Sequence, residues 1–218
     1  MKVGVVLSGC GVYDGAEVHE ATLVLYFLDR AGVEILCMAP HVPQMHVIDH
    51  TTGNPTAETR HVLVEAARIA RGEIRDMASV TAQDMDAIIF PGGYGAAKNL
   101  CDFAVKGVDC KVQPEVERII KEMHAAGKPQ GFICIAPVLA AKVLGSRGPR
   151  LTIGNDAATA QAINAMGAVH LTAAVDEVVI CNKNKIVTTP AYMLGPTISH
   201  VAKGIEKLVG EIIRLARG

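Results

Sequence analysis

Four short runs constrain this chain more than any other feature: "KVGVVLS" (2–8), "EILCMAP" (34–40), "DAIIFPGG" (86–93) and "QGFIC" (130–134). Each is apolar at successive positions, and each stops at glycine, proline or cysteine. A strand wetted on one face alternates. A strand apolar throughout is buried on both faces, which is the condition of a parallel sheet covered by helices. Between the runs the apolar spacing changes to three and four. Ala21, Val24, Leu25 and Leu28 mark a helix over 17–31 that stops at Gly32, and 58–71 has a helical pattern too. Val116, Ile119, Ile120 and Met123 mark a third helix, with Pro114 suited to its first turn and Gly127 to its end.

The remainder continues the alternation. "APVLAAKVLG" reads as a helix with Pro137 in its first turn. "LTIG", a helix from about Asp156 to Met166, and "AVHL" make another strand–helix–strand step. "EVVICNKNKIVTTPA" (177–191) reads as two strands around Asn-Lys-Asn, and "QMHVIDHTTG" (44–53) as a small hairpin. The last helix should turn Ile198, Val201, Ile205, Leu208, Val209, Ile212 and Ile213 inward. The pattern predicts an α/β fold with a mostly parallel central sheet covered on both faces. With no Ser/Pro/Gly linker and no internal repeat, it predicts a single domain over 1–218.

Half of the 218 residues are apolar, a fifth are charged, and the formal net charge is -1. That balance gives no electrostatic footprint for nucleic acid or an anionic membrane, and no apolar run reaches the roughly 20 residues of a membrane span. The N-terminal run is short and soon meets Asp14 and Glu17, so it reads as a first strand, not a secretion signal. Without an Arg- and Ser-rich leader, the expected location is the cytoplasm. None of the six cysteines forms a C-x-x-C pair, which argues for free thiols in a reducing compartment. His41, His46 and His50 have spacings that suit a solvated hairpin better than a metal site. Neither metal nor cofactor is expected. Gly9 and Gly11 begin a G-x-G-x-x-G spacing, but the third position is Asp14, so a dinucleotide loop is a weak reading.

In open α/β sheets the chemistry collects at the carboxyl ends of the strands. Three ends are unusual here: "SGCGVYDGAEVHEA", "FPGGYGAAKN" and "FICIAP". If their strands are neighbours, Glu17, the backbone of Gly92 and Gly93, and the Cys134 thiol converge on one crevice. A cysteine at a strand–helix elbow gains thiolate character from the helix that follows. N–H groups of Gly92, Gly93 and Ile135 are candidate oxyanion donors. Such an elbow requires a strained backbone at Cys134. Taken singly, each feature also has a plain structural reading: a helix cap, a tight turn, a core cysteine.

Together with "LTIGNDAATA" and "IVTTPAYMLG", these segments resemble the class I glutamine amidotransferase-like superfamily. The likeness is to its PfpI and glyoxalase III branch, and within it to the group of the bacterial isoprenoid biosynthesis protein ElbB and its eukaryotic mitochondrial relatives. The resemblance covers almost the whole chain. It implies a flavodoxin-like three-layer sandwich in which Cys134 is the catalytic cysteine, Glu17 its carboxyl partner and Gly93 an oxyanion glycine. The implied activity is cofactor-independent conversion of small dicarbonyls, glyoxal to glycolate and methylglyoxal to lactate. The alternative is a non-enzymatic redox-sensing or stress protein using the same oxidisable cysteine. Near neutrality a Cys134 thiolate beside a protonated Glu17 is expected, titrating as a unit. A homodimer is expected from the habit of relatives. One departure stands out. The superfamily's histidine, about twenty residues past the cysteine, has no counterpart in "LTIGNDAAT".

Overall fold

The computed structural model describes residues 1–218. Its main sheet has seven strands: β1 (Lys2–Val6), β2 (Glu34–Ala39), β3 (Arg75–Asp76), β4 (Ala87–Phe90), β5 (Gln130–Ile133), β6 (Val179–Cys181) and β7 (Ile186–Thr189). They lie in the order β6-β7-β5-β4-β1-β2-β3. All neighbours run parallel except the β6–β7 hairpin. The chain moves from β1 to one side through β2 and β3, then crosses back to β4 and β5. The reversal of strand order therefore falls between β1 and β4, where ligands of open α/β sheets bind.

Eight helices complete the layers: α1 (Val18–Arg30), α2 (Val62–Ile69), α3 (Tyr94–Lys98), α4 (Phe103–Lys106), α5 (Pro114–Ala125), α6 (Pro137–Leu144), α7 (Ala157–Ala165) and α8 (Ile198–Arg217). The continuous apolar runs feed two cores, one on each face of the sheet. In β4, Ile88 and Phe90 enter one core while Ala87 and Ile89 enter the other. Phe90 and Phe132 are register partners and stack with ring centroids 4.8 Å apart. On the opposite face α8 lays Val201, Ile205, Leu208 and Ile212 over the sheet. A Cβ at Gly131 would stand 3.0 Å from Leu208, so glycine there lets the helix approach.

Three local features differ from the sequence pattern. "LTIG" and "AVHL" do pair in parallel, through Arg150–Leu151 and Val169–His170, but as a ribbon outside the main sheet. Beyond Leu151, the Thr152 N–H donates to the Thr188 hydroxyl at 2.9 Å in place of a ladder bond. Ile198 is exposed, because it opens α8 before that helix reaches the sheet. The edge strand β3 is two polar residues long, too short and too charged to be read as a strand, and those properties blunt an open sheet edge.

Phe132 is fully buried and stacked. Phe132→Ala should cost about 3–5 kcal/mol in denaturant unfolding. A loss below about 1 kcal/mol would mean that the stacked pair is not central to this core.

Candidate functional site

The strands β1, β4 and β5 are neighbours, so the three unusual strand ends do meet. Cys134 follows β5 directly and has φ = +61°, in the left-handed region that a side chain with a Cβ rarely adopts. Its N–H is fixed by the Thr189 carbonyl at 3.0 Å, and α6 begins at Pro137. The thiol faces a cavity, although only 7 % of Cys134 is exposed.

The carboxyl that meets this thiol belongs to Glu20, not Glu17. Glu17 is the N-cap of α1: its Oε2 accepts the Glu20 N–H at 2.7 Å, and its own N–H donates to the Gly92 carbonyl at 2.9 Å. Three residues later the helix has turned almost once, so Glu20 points at the sheet and is fully buried. Its Oε2 accepts the Gly92 N–H at 2.9 Å, its Oε1 accepts the Tyr192 N–H at 3.2 Å, and it hydrogen-bonds the Cys134 thiol. The expected Glu17–Cys134 pair is thereby corrected. A glutamate at the cap serves the helix, and the one a turn inside serves the thiol.

The glycines divide their work. Gly92 gives its N–H to Glu20 and is no free oxyanion donor. What it supplies is space, since a Cβ there would collide with the Cys134 Cβ and lie 2.6 Å from Glu20 Oε2. Gly93, at φ = +92°, has no room for a Cβ against the Glu17 backbone. The N–H groups of Gly93 and Ile135 both favour charge on the Cys134 sulfur.

Burial dominates the electrostatics. It raises the Glu20 pKa to about 8 from an ordinary 4.5, the nearby Glu17 charge adds to this, and the Tyr192 and Gly92 N–H groups oppose it. The Cys134 thiol is pushed well up by burial and then by Glu20, against the pull of the Gly93 and Ile135 N–H groups. At neutral pH the pair is a thiol beside a carboxylic acid. The expected thiolate is corrected as well: burial outweighs the two donors.

The cavity holds about 410 Å³. Val12, Tyr94, Ala97, Phe103, Ala104, Ile135 and Met193 make it mainly apolar, while Glu17, Asp156, Thr159 and Tyr192 supply polar groups. None of its lining residues is a lysine, arginine or histidine. The loop about twenty residues past Cys134, where the superfamily's histidine has no counterpart, supplies Asp156 instead. This residue caps α7, with its Oδ1 accepting the Thr159 N–H at 2.8 Å, and its bonds to Thr159 hold its pKa below the usual value. A histidine does stand just behind the wall: His19 Nδ1 lies 2.8 Å from the Tyr192 hydroxyl and 4.0 Å from Glu17 Oε1. Glu20, Asp156, Tyr192 and His19 all escaped the sequence reading. Only Glu20 had a signal, its position three residues past a cap.

No cluster of three or more His, Cys, Asp or Glu side chains is placed to hold a metal ion. Gly11 and Gly15 serve packing in the first strand-end loop. A Cβ on Gly11 would stand 2.6 Å from His50 Nε2, and one on Gly15 would collide with the Cys10 backbone. Asn99 ties this loop down, donating to the Ser8 and Asp14 carbonyls at 2.8 Å each.

The chain is 54% identical to the human glutamine amidotransferase-like class 1 domain-containing protein 3, mitochondrial, over 98% of this chain and 83% of that protein. It belongs to that family. The rat ES1 protein homolog, mitochondrial, is 52% identical over 98% of this chain and 84% of its own length. No family model matches the chain. Among solved structures, an isoprenoid biosynthesis protein with an amidotransferase-like domain from Ehrlichia chaffeensis superposes with a TM-score of 0.92 at 34% identity, covering 99% of both chains. A ThiJ/PfpI domain protein from Brachyspira murdochii shares the fold at 14% identity, with a TM-score of 0.59 over 98% of this chain and 96% of that one. The flavodoxin-like architecture and the family stand on these findings. The expected cytoplasmic location does not, because the curated relatives are named as mitochondrial proteins.

The buried carboxyl gives a pH test. Glu20 holds its proton up to about pH 8 when folded, but only to about 4.5 when unfolded. Between those values the folded state binds the extra proton, so stability must fall as pH rises. Unfolding free energies of the native protein should decline across this window by a few kcal/mol relative to Glu20→Gln. A difference that stays constant with pH would show that Glu20 titrates as an exposed carboxyl does.

Proposed function

We propose that this protein is a cofactor-independent glyoxalase-type enzyme that converts small neutral dicarbonyls to hydroxy acids at Cys134. The observation that carries the reading is the fully buried Glu20 carboxylic acid hydrogen-bonded to an elbow thiol at the floor of a small cavity. A proton donor whose pKa lies near the working pH is suited to general acid–base catalysis.

The chemistry balances without an external oxidant. The Cys134 sulfur adds to one aldehyde carbon of glyoxal, a C–S bond forms, the C=O π pair goes to oxygen, that oxygen takes the Glu20 proton, and the thiol proton leaves to water. The Gly93 and Ile135 N–H groups, which favour charge on the free sulfur, would favour the developing oxyanion in the same way. Glu20, now a carboxylate, removes the proton from the hemithioacetal carbon and returns it to the neighbouring carbon, while the hemithioacetal hydroxyl proton passes to the neighbouring oxygen. One carbon is thereby oxidised to a thioester and the other reduced to an alcohol. Water cleaves the thioester, releasing glycolate and the thiol. Methylglyoxal would give lactate by the same steps.

The wall supports neutral substrates. Glu17 and Asp156 present carboxyl groups and no lining side chain is cationic, so a negatively charged carbonyl compound meets repulsion without a partner. Tyr192, bonded to His19, links the wall to an imidazole.

A second reading is favoured by the absence of a histidine among the lining residues. Cys134 would then act as a redox sensor, with a sulfinate held by Glu20 and the two N–H groups. Peroxide treatment followed by mass analysis of the Cys134 peptide separates the readings when set beside turnover.

With purified protein, glyoxal turnover should fall about 10³-fold or more in Cys134→Ala and about 10²–10⁴-fold in Glu20→Gln, while Glu17→Gln retains it. Equal turnover in all four proteins, or kcat/KM far below roughly 10⁴ M⁻¹s⁻¹ in the native one, would remove the enzymatic reading. Asp156→Asn should raise turnover of 4,5-dioxopentanoate, an anionic 2-oxoaldehyde, relative to methylglyoxal. An unchanged ratio would show that the carboxylate does not select for charge.

A further inference from the structure

Away from Cys134, two thiols lie on one face of a short loop. Leu100 to Gln113 folds into a loop closed by an antiparallel bridge between Cys101 and Val112. The Asp102 N–H donates to the Lys111 carbonyl at 3.2 Å and the Gln113 N–H to the Leu100 carbonyl at 2.9 Å. In that register Cys110, two residues before Val112, is the diagonal neighbour of Cys101 on the same face. The two thiols influence each other's ionisation there.

We propose that Cys101 and Cys110 are a redox-active dithiol, which peroxide closes into an intramolecular disulfide across the loop that carries Phe103 and Ala104 in the wall of the Cys134 cavity. The inference does not depend on what Cys134 catalyses.

The two sulfurs are unequal. Cys101 packs within a core cluster and its thiol donates to the Ala96 carbonyl at 3.3 Å. The neighbouring Cys101 and the Lys142 ammonium hold the Cys110 thiol below its ordinary pKa, against its burial, and so favour its thiolate. Lys142 is held nearby by the Val108 carbonyl at 2.8 Å. Cys110 is therefore the attacking thiolate and Cys101 the resolving thiol. The Cys110 sulfur attacks one peroxide oxygen, the O–O bond breaks, and hydroxide leaves to become water, giving a sulfenic acid. The Cys101 sulfur then attacks the Cys110 sulfur, loses its proton, and expels the hydroxyl as a second water. Two thiols lose two electrons and two protons, and peroxide is reduced to two waters.

Access is through the loop itself. Cys110 is 2 % exposed, but Ala104, Val105, Lys106, Val108 and Asp109 above it face solvent. A four-residue helix and one 3₁₀ turn form the cover. So short a cover opens at little cost.

The sequence makes the test clean. Trypsin cleaves after Lys98, Lys106 and Lys111, so Cys101 and Cys110 fall in separate peptides, 99–106 and 107–111. Native protein treated with hydrogen peroxide, alkylated and digested without reductant should lose two alkylatable thiols and yield these peptides joined, with the joint removed by dithiothreitol. Cys134→Ala should form the same link. Cys101→Ser should stop at a Cys110 sulfenic acid that dimedone traps. Should Cys101→Ser not fold, Cys110→Ser serves in its place, with Cys101 remaining unmodified. The proposal is overturned if peroxide oxidises Cys134 while 99–106 and 107–111 stay separate, or if Cys110 is found joined to any other cysteine. It is overturned too if Cys101 is modified as readily in Cys110→Ser as in the native chain.

Discussion

A hydrogen bond between a buried carboxylic acid and a buried thiol can exist only where two side chains approach over a stretch of backbone that has no side chain of its own. Gly92 is that stretch. It lies between Glu20 and Cys134 with no room for a Cβ, and its N–H holds the carboxyl in place. Three chain segments must arrive together for this contact: the α1 entry after β1, the turn after β4 and the elbow after β5. Their adjacency follows from the strand order, and the strand order follows from helices crossing both faces of a parallel sheet. The left-handed backbone at Cys134 is a cost that the surrounding packing sustains, as strained residues at functional sites generally require.

The fold was legible because its physics is repetitive. Runs such as "DAIIF" are apolar at every position since alternate residues enter different cores, and no other common architecture asks for that. Glycine and proline at the run ends marked where strands stop. The site was legible only in part. Cys134 and Gly93 stand out as residues in unusual backbone settings, and sequence spacing carries that information. Glu17 against Glu20 turns on helix phase, which depends on which residue caps. With Glu17 as cap the phase puts Glu20 inward, but a glutamate is an uncommon cap and the sequence reading gave it the catalytic place. Asp156 and Tyr192 reach the cavity from two distant segments, and no local pattern encodes such a meeting.

The expected thiolate failed for a related reason. A helix N-terminus and two N–H groups favour negative charge on sulfur, but burial accompanies them. Once Cys134 sits beneath the cavity wall, desolvation becomes the largest influence on its ionisation, and the glutamate beside it reinforces that influence whenever it carries charge. The contact therefore works as a shared-proton unit. Removing the proton from Glu20 makes the thiol harder to ionise, and protonating Glu20 makes it easier. The two groups resist being charged together, which couples their titrations.

This coupling bears on the histidine that the loop after α6 does not supply. In a cysteine–histidine arrangement the imidazole takes the thiol proton and later returns it. Here Asp156 occupies the corresponding part of the wall and is kept in its charged form by Thr159, so it is a poor acceptor at neutral pH. The group with an accessible proton equilibrium in direct contact with sulfur is Glu20, whose pKa of about 8 lies close to physiological pH. Burial, which makes a carboxylate costly, is also what brings this carboxyl into the range where it can both give and take a proton. The absent imidazole and the buried glutamate are thus compatible. The sheet supplies, by desolvation, an acid–base group that the loop does not.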